Sequence, residues 1–183
     1  MTFDYPRYPL IFIQKQPCKD ASAHLFTLIY KFYSPVTKLK YILRADYHEQ
    51  DVFGIKFYAS CHKRSEHKYS KITNKGDVGN ILISCLNVIP IILKDYPNAS
   101  FGFIGARTID FASNTVEDYK NTQRFRIYKE VVPYKIGPKT FEHIEYTDLS
   151  GYLLINRKSG DIDIKERKLI EMFTHSYQNI LDV

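Results

Sequence analysis

Tryptophan is absent from the 183 residues, methionine occurs twice and cysteine three times. Cys18, Cys61 and Cys85 contain no CxxC pair, and any disulfide scheme leaves one of them over. That usage argues against a disulfide-stapled scaffold and fits a reducing cytoplasm. A bilayer span needs roughly 20 apolar residues. The one long apolar stretch, 78–93, is interrupted by Asn87 and Pro90, so no membrane insertion is expected. The opening residues have no basic segment followed by an apolar core, and Leu10 to Ile13 is too short a run for a secretory leader. No internal repeat or low-complexity segment is visible. Acidic residues number 20 against 26 basic ones, a net charge of +6. That excess favours an anionic ligand, a phosphorylated cofactor or a nucleic acid as partner.

What the chain does hold is aromatic and apolar. Fifteen tyrosines, twelve phenylalanines and a hydrophobic content of 44% suffice for one good core. A single domain over residues 1–183 is expected, with residues 1–20 as an extended arm around Pro6, Pro9 and Pro17 that packs Leu10, Phe12 and Ile13 onto the domain. Phe26, Leu28, Tyr30 and Phe32 share one face of a strand. Leu39, Tyr41, Leu43, Ala45 and Tyr47 alternate with Lys40, Arg44 and Asp46, which predicts a strand buried on one side and wet on the other. Phe53, Ile55, Phe57 and Ala59 form the inner face of a third strand, and the three read as a meander.

A polar loop follows, with Lys63, Arg64, Lys68, Lys71 and Lys75 against the single acid Glu66. Next comes the most apolar helix of the chain. Val78, Leu82, Cys85, Leu86, Ile89, Ile92 and Leu93 fall on one helical face, with Asp77 as its N-cap and Pro90 as the place of a kink or split. The strand from Ser100 to Ala106 carries Gly102 and Gly105, where a backbone or a ligand can approach closely. Residues 108–116 read as loop, and Glu117 to Val132 as a second helix. Phe141 to Tyr146 and Gly151 to Arg157 read as a hairpin. A last helix runs from about Lys165 to Leu181, with Leu169, Ile170, Phe173, Tyr177, Ile180 and Leu181 on one face. The fold class is therefore mixed α/β (α+β), a mainly antiparallel central sheet with three main helices.

This order of elements resembles the GNAT superfamily of N-acyltransferases over residues 23–157. Two local patterns carry the resemblance. Gly76 and Gly79 open an apolar helix, as in the family's pyrophosphate loop, although the spacing here is Gly-x-x-Gly and Thr73 stands where Arg or Gln is usual. Asn121 and Tyr128 keep the family's interval on the next helix, with Arg124 in place of a small residue and Pro133-Tyr134 near the usual Gly-Phe. The resemblance implies binding of acyl-coenzyme A at Gly76, Val78, Gly79 and Asn121, with Lys71, Lys75 and Arg124 attracting its phosphates. It further implies transfer of an acyl group to an amine, with Tyr128 protonating the departing thiolate. Asp46 and Glu49 on the meander are the candidate bases.

Other readings stay open beside it. Lys63 to Lys75 with Arg124, Arg126 and Lys129 can form one basic patch, and Tyr58, Tyr69 and Tyr128 can add stacking surfaces for RNA. A non-catalytic interaction protein, an accessory of a mobile element or of a two-gene system, would use such a surface toward a protein or nucleic acid. Cys61, His62 and His67 have metal-ligand chemistry but no fourth ligand, so no metal site is expected.

Overall fold

The computed structural model describes residues 7–71 and 76–176. Lys75, Thr73, Tyr177, Ile180 and Leu181, all named above, lie outside the described residues. Seven strands form one sheet: β1 (Ile11–Pro17), β2 (His24–Ser34), β3 (Leu39–His48), β4 (Val52–Ala59), β5 (Ser100–Ile104), β8 (Phe141–Tyr146) and β9 (Gly151–Asn156). Their order is β1-β2-β3-β4-β5-β9-β8. Every neighbouring pair is antiparallel except β4–β5. Two residues each make the small ribbon β6 (Ile109–Asp110) and β7 (Thr115–Val116), where a loop was expected.

The meander forms because the alternation in its three strands is consistent. Leu28, Tyr30, Phe32, Tyr41, Leu43, Ala45, Phe53 and Ile55 are all buried in one cluster. Helices α1 (Val78–Leu86), α2 (Val88–Ile92) and α3 (Gln123–Lys135) cover this face, bringing Leu82, Leu86, Ile89, Phe125 and Val132 into the same cluster. The opposite face carries a smaller cluster, Val52, Leu153, Ile155 and Leu169, under α4 (Ile162–Ser176).

Several expectations are corrected in detail. The arm is not packed along its length. Residues 11–17 form an exposed edge strand, with Phe12 54% and Ile13 43% accessible. Its anchor is Tyr8, whose backbone N–H donates to Ser84 Oγ at 2.8 Å and whose ring is buried. The apolar helix splits at Asn87 rather than at Pro90. Pro90 has no N–H for the Leu86 carbonyl four residues back and its ring crowds that carbonyl, so the ladder opens just after Leu86. Val78 is exposed, not on the buried face.

Asp77 precedes the helix without a side-chain capping bond. Its buried carboxylate instead accepts from the Tyr8 hydroxyl (2.9 Å), the Asn80 amide (2.6 Å) and the Ser34 hydroxyl. The second helix starts at Gln123, later than expected. Its cap is Thr122, whose Oγ1 accepts from Phe125 N–H and donates to the Gly105 carbonyl at 2.7 Å. Gly105 is glycine for a steric reason. A Cβ there would lie 2.6 Å from the backbone nitrogen of Phe125.

Candidate functional site

The site begins with a strand separation. β4 and β5 pair in parallel from Val52↔Ser100 to Ile55↔Phe103, and then part. β4 runs on to Ala59, while Ile104 pairs with Gly151 on the other side. At the carboxyl ends of this parallel pair lies a cavity of 480 Å³. Such a position, at the carboxyl ends of parallel strands, is where ligands bind in open α/β sheets. The volume falls in the range of small-molecule sites, roughly 300–1,000 Å³.

Glycine makes the room. Gly54 and Gly102 are register partners across the β4–β5 pair, and both line the cavity. A Cβ on Gly102 would meet Leu153 at 3.3 Å and Phe173 at 3.9 Å, whereas one on Gly54 would have only His48 at 3.6 Å and a backbone oxygen at 3.9 Å. Ile170, Phe173 and Thr174 of α4 line the cavity from one side of the sheet, and Arg124 and Tyr128 of α3 from the other. The gap between the strands therefore joins the two sides.

The polar lining is small and specific. Asp46, placed by alternation on the face expected to be wet, is only 2% exposed. Its carboxylate takes Lys56 Nζ at 2.5 Å, Arg44 Nε at 3.6 Å and the Thr27 hydroxyl at 2.6 Å, with His24 Nε2 at 3.8 Å. Burial acts to raise this carboxyl, but Lys56, Thr27 and Arg44 outweigh it and hold it below its usual value. It is a paired structural charge and a poor proton acceptor. His48 is buried beside it, with Phe173 edge-on at a ring separation of 5.3 Å. Burial, helped by His24, pushes the imidazole down to about 4, so it is neutral at pH 7. Glu49 sits in the exposed turn after β3 and does not line the cavity.

From α3 come a phenol and a cation, one turn apart on the same helix face. Tyr128 is 2% exposed, and burial keeps its phenol protonated far into the alkaline range. Phe103 stands against its ring at a centroid separation of 5.4 Å. Arg124 donates through one terminal nitrogen to the Tyr69 carbonyl and through the other to the Lys71 carbonyl at 3.3 Å, with Phe57 against its guanidinium at 5.5 Å. No carboxylate among the described residues lies within 4.0 Å of it.

These contacts also reshape the basic loop. Residues 69–71 are tied down: Arg124 grips Tyr69 and Lys71, Ser70 is buried, and Lys71 bridges to Ile109. Tyr69 lines the cavity, and Lys56 and Lys68 lie 5.3 Å from its ring centre. The expected single basic patch is thus divided. Arg124 faces the interior, Arg126 donates to the Asn121 carbonyl, and the Lys71 ammonium lies over Phe111.

Of the residues singled out in the sequence, the cavity brings together Tyr128, Arg124, Asp46, Tyr69 and Gly102. Gly76, Val78, Gly79 and Asn121 do not line it. Gly76 takes φ +71 with open space around its Cβ position, a turn glycine. Asn121, at φ 50, adopts the left-handed turn just before the Thr122 cap. Gly54, Lys56 and His48 were missed as site residues. A glycine inside a run of β-formers was the available signal for Gly54; nothing local distinguishes Lys56 or His48. Among the described residues, no group of three or more His, Cys, Asp or Glu is arranged to hold a metal.

Comparison with protein-family models, with curated proteins and with solved structures returns no match for this chain.

Proposed function

We propose that this chain is a divergent GNAT-like domain that binds an acyl thioester such as acyl-coenzyme A in the cavity at the ends of β4 and β5, and passes the acyl group to an amine. The observation that carries the reading is the cavity itself. It opens where the parallel pair separates, is floored by two facing glycines, and has a buried phenol, Tyr128, in its wall. The element order supports it too: a meander, a helix, a strand, a helix and a closing hairpin. Strand edges that separate leave backbone donors and acceptors, which suit the amides of an extended ligand arm.

In the proposed reaction the amine nitrogen attacks the thioester carbon, the C–N bond forms and the C–S bond breaks. Tyr128 gives its proton to the departing thiolate and recovers one from water. The ammonium form of the amine loses one proton to water before attack, and its nitrogen loses a second to water as the adduct collapses; Asp46 takes neither, because its carboxylate is committed to Lys56. His48 is neutral and within the lining, but its basicity is too low for it to be the principal acceptor at pH 7. The binding site for the thioester end is this cavity. The Gly76–Gly79 turn is a poor phosphate site, because the buried Asp77 carboxylate sits beside the helix start.

Thermal melts with acetyl-coenzyme A test binding, and thiol release across a panel of amines tests transfer. Tyr128→Phe should leave the melt unchanged and cut thiol release by about 100-fold or more. A Phe variant that turns over like the parent would remove Tyr128 as the acid.

A second reading, a non-catalytic partner-binding protein, draws on one observation. β1 is an edge strand with Ile11, Phe12 and Ile13 exposed, and an open edge is a template for pairing. It expects no acetyl-coenzyme A effect at millimolar ligand.

A further inference from the structure

Arg124 is difficult to account for as a structural residue alone. A guanidinium drawn out of water is costly unless its charge is matched. Here the side chain is half-buried, and burial lowers its proton affinity against the opposing pull of Tyr128 and Glu117; its two hydrogen bonds go to neutral carbonyls, and no carboxylate among the described residues is in ion-pair range. The other cation of the lining, Lys56, is already matched by Asp46 at 2.5 Å. The cavity therefore presents one guanidinium with no carboxylate in ion-pair range among the described residues, against walls of Ile55, Phe103, Leu153, Ile170 and Phe173.

We infer that Arg124 receives a carboxylate on the second ligand of this cavity, and that the acyl acceptor is an amino acid with an apolar side chain. The inference rests on the acyl-transfer reading for which ligand carries the charge. Around its sulfur an acyl-coenzyme A is uncharged, since its phosphates are at the far end of the molecule. An anion inside the cavity therefore belongs to the amine. A guanidinium fork suits a carboxylate better than an ammonium would. The apolar walls take the side chain. Arg124 and Tyr128, four residues apart and so roughly 6 Å along the helix axis, set carboxylate and thiolate at a separation that leaves the amine between them.

The test compares an acid with its amide on the native chain. L-phenylalanine and L-phenylalaninamide are titrated calorimetrically, each in the presence of saturating coenzyme A, which occupies the donor site without an acyl group to transfer. The acid should bind at least about tenfold tighter than the amide. Arg124→Gln should erase that preference while keeping the acetyl-coenzyme A shift in melts. Arg124→Lys, which retains the charge without the fork, should keep part of it and serves if the Gln variant does not fold. Equal binding of acid and amide, or of neither, on the native chain overturns the inference. So does an Arg124→Gln variant that is folded and keeps the full preference, which would leave Arg124 as a clamp on Tyr69 and Lys71 only. A missing acetyl-coenzyme A shift on the native chain marks failure of the acyl-transfer reading instead, and is measured before any amino acid is added.

Discussion

The two faces of the sheet are packed on different terms. Under α1, α2 and α3 the face is a closed aromatic and aliphatic core, with Phe53, Phe101, Leu43, Leu82 and Phe125 fully buried. Under α4 the same strands present Asp46, His48, Gly54, Lys56 and Gly102 to a cavity, and among the described residues the cluster there has four buried members, with partly buried side chains around them. Period-two alternation means that every strand serves both faces at once. The closed face fixes the strands, and that rigidity lets the other face tolerate facing glycines, a buried ion pair and an open volume.

Substitutions can break this contrast or sharpen it. Leu86→Ala, in the middle of the closed face, should cost stability toward the upper part of about 2–5 kcal/mol in urea melts, because the dense surroundings cannot collapse onto the hole. A loss below half that range would mean that the closed face is looser than its burial implies.

The next effect in size belongs to the cavity face. His48 is held at about 4 against an ordinary 6.5. The unfolded chain therefore binds more protons than the folded one between those values. Stability should be complete above pH 6.5 and fall as the pH drops toward 4, by about 3 kcal/mol for this group. His48→Gln should flatten most of that slope in melts from pH 7 to 4, with a smaller slope left from His62, which burial also pushes down. An unchanged slope would place the acid sensitivity elsewhere. The smallest effect should come from Phe173→Ala. Phe173 already borders open volume, so its loss enlarges a cavity instead of creating one, at about 1 kcal/mol.

The closed face was legible in the sequence because burial on one side writes a period. Phe26, Leu28, Tyr30 and Phe32 and then Leu39, Tyr41 and Leu43 alternate without a break, and their strands and pairing follow. The cavity face was not legible, for a definite reason. Lys56 and Asp46 look like solvent-facing residues in any alternation, and only the tertiary fold buries Asp46 among Lys56, Arg44 and Thr27 and sets Lys56 beside Tyr69. The Asp77 carboxylate was misplaced for the same reason. A helix-start aspartate reads as a cap, but Tyr8 and Ser34, distant in sequence, claim its oxygens. Tyr128 was singled out by its interval from Asn121, and Arg124 as the cation standing where that pattern has a small residue. The structure adds that they share one cavity, whereas Gly76, Val78, Gly79 and Asn121 lie outside its lining. The exposed arm shows the limit of composition: of Leu10, Phe12 and Ile13, all expected to pack onto the domain, Leu10 does and Phe12 and Ile13 stand exposed at an edge.

The central claim is that the volume above Gly54 and Gly102 holds the thioester. Gly54→Leu tests it most directly, since the new side chain has space at its Cβ, fits strand backbone and fills the cavity floor. Thermal melts are recorded for parent and variant with increasing acetyl-coenzyme A. The parent should gain stability with ligand, about 2.7 kcal/mol at 100 times the dissociation constant, while the folded variant should gain none. A variant that responds as the parent does, or a parent indifferent to millimolar acetyl-coenzyme A, would contradict the account.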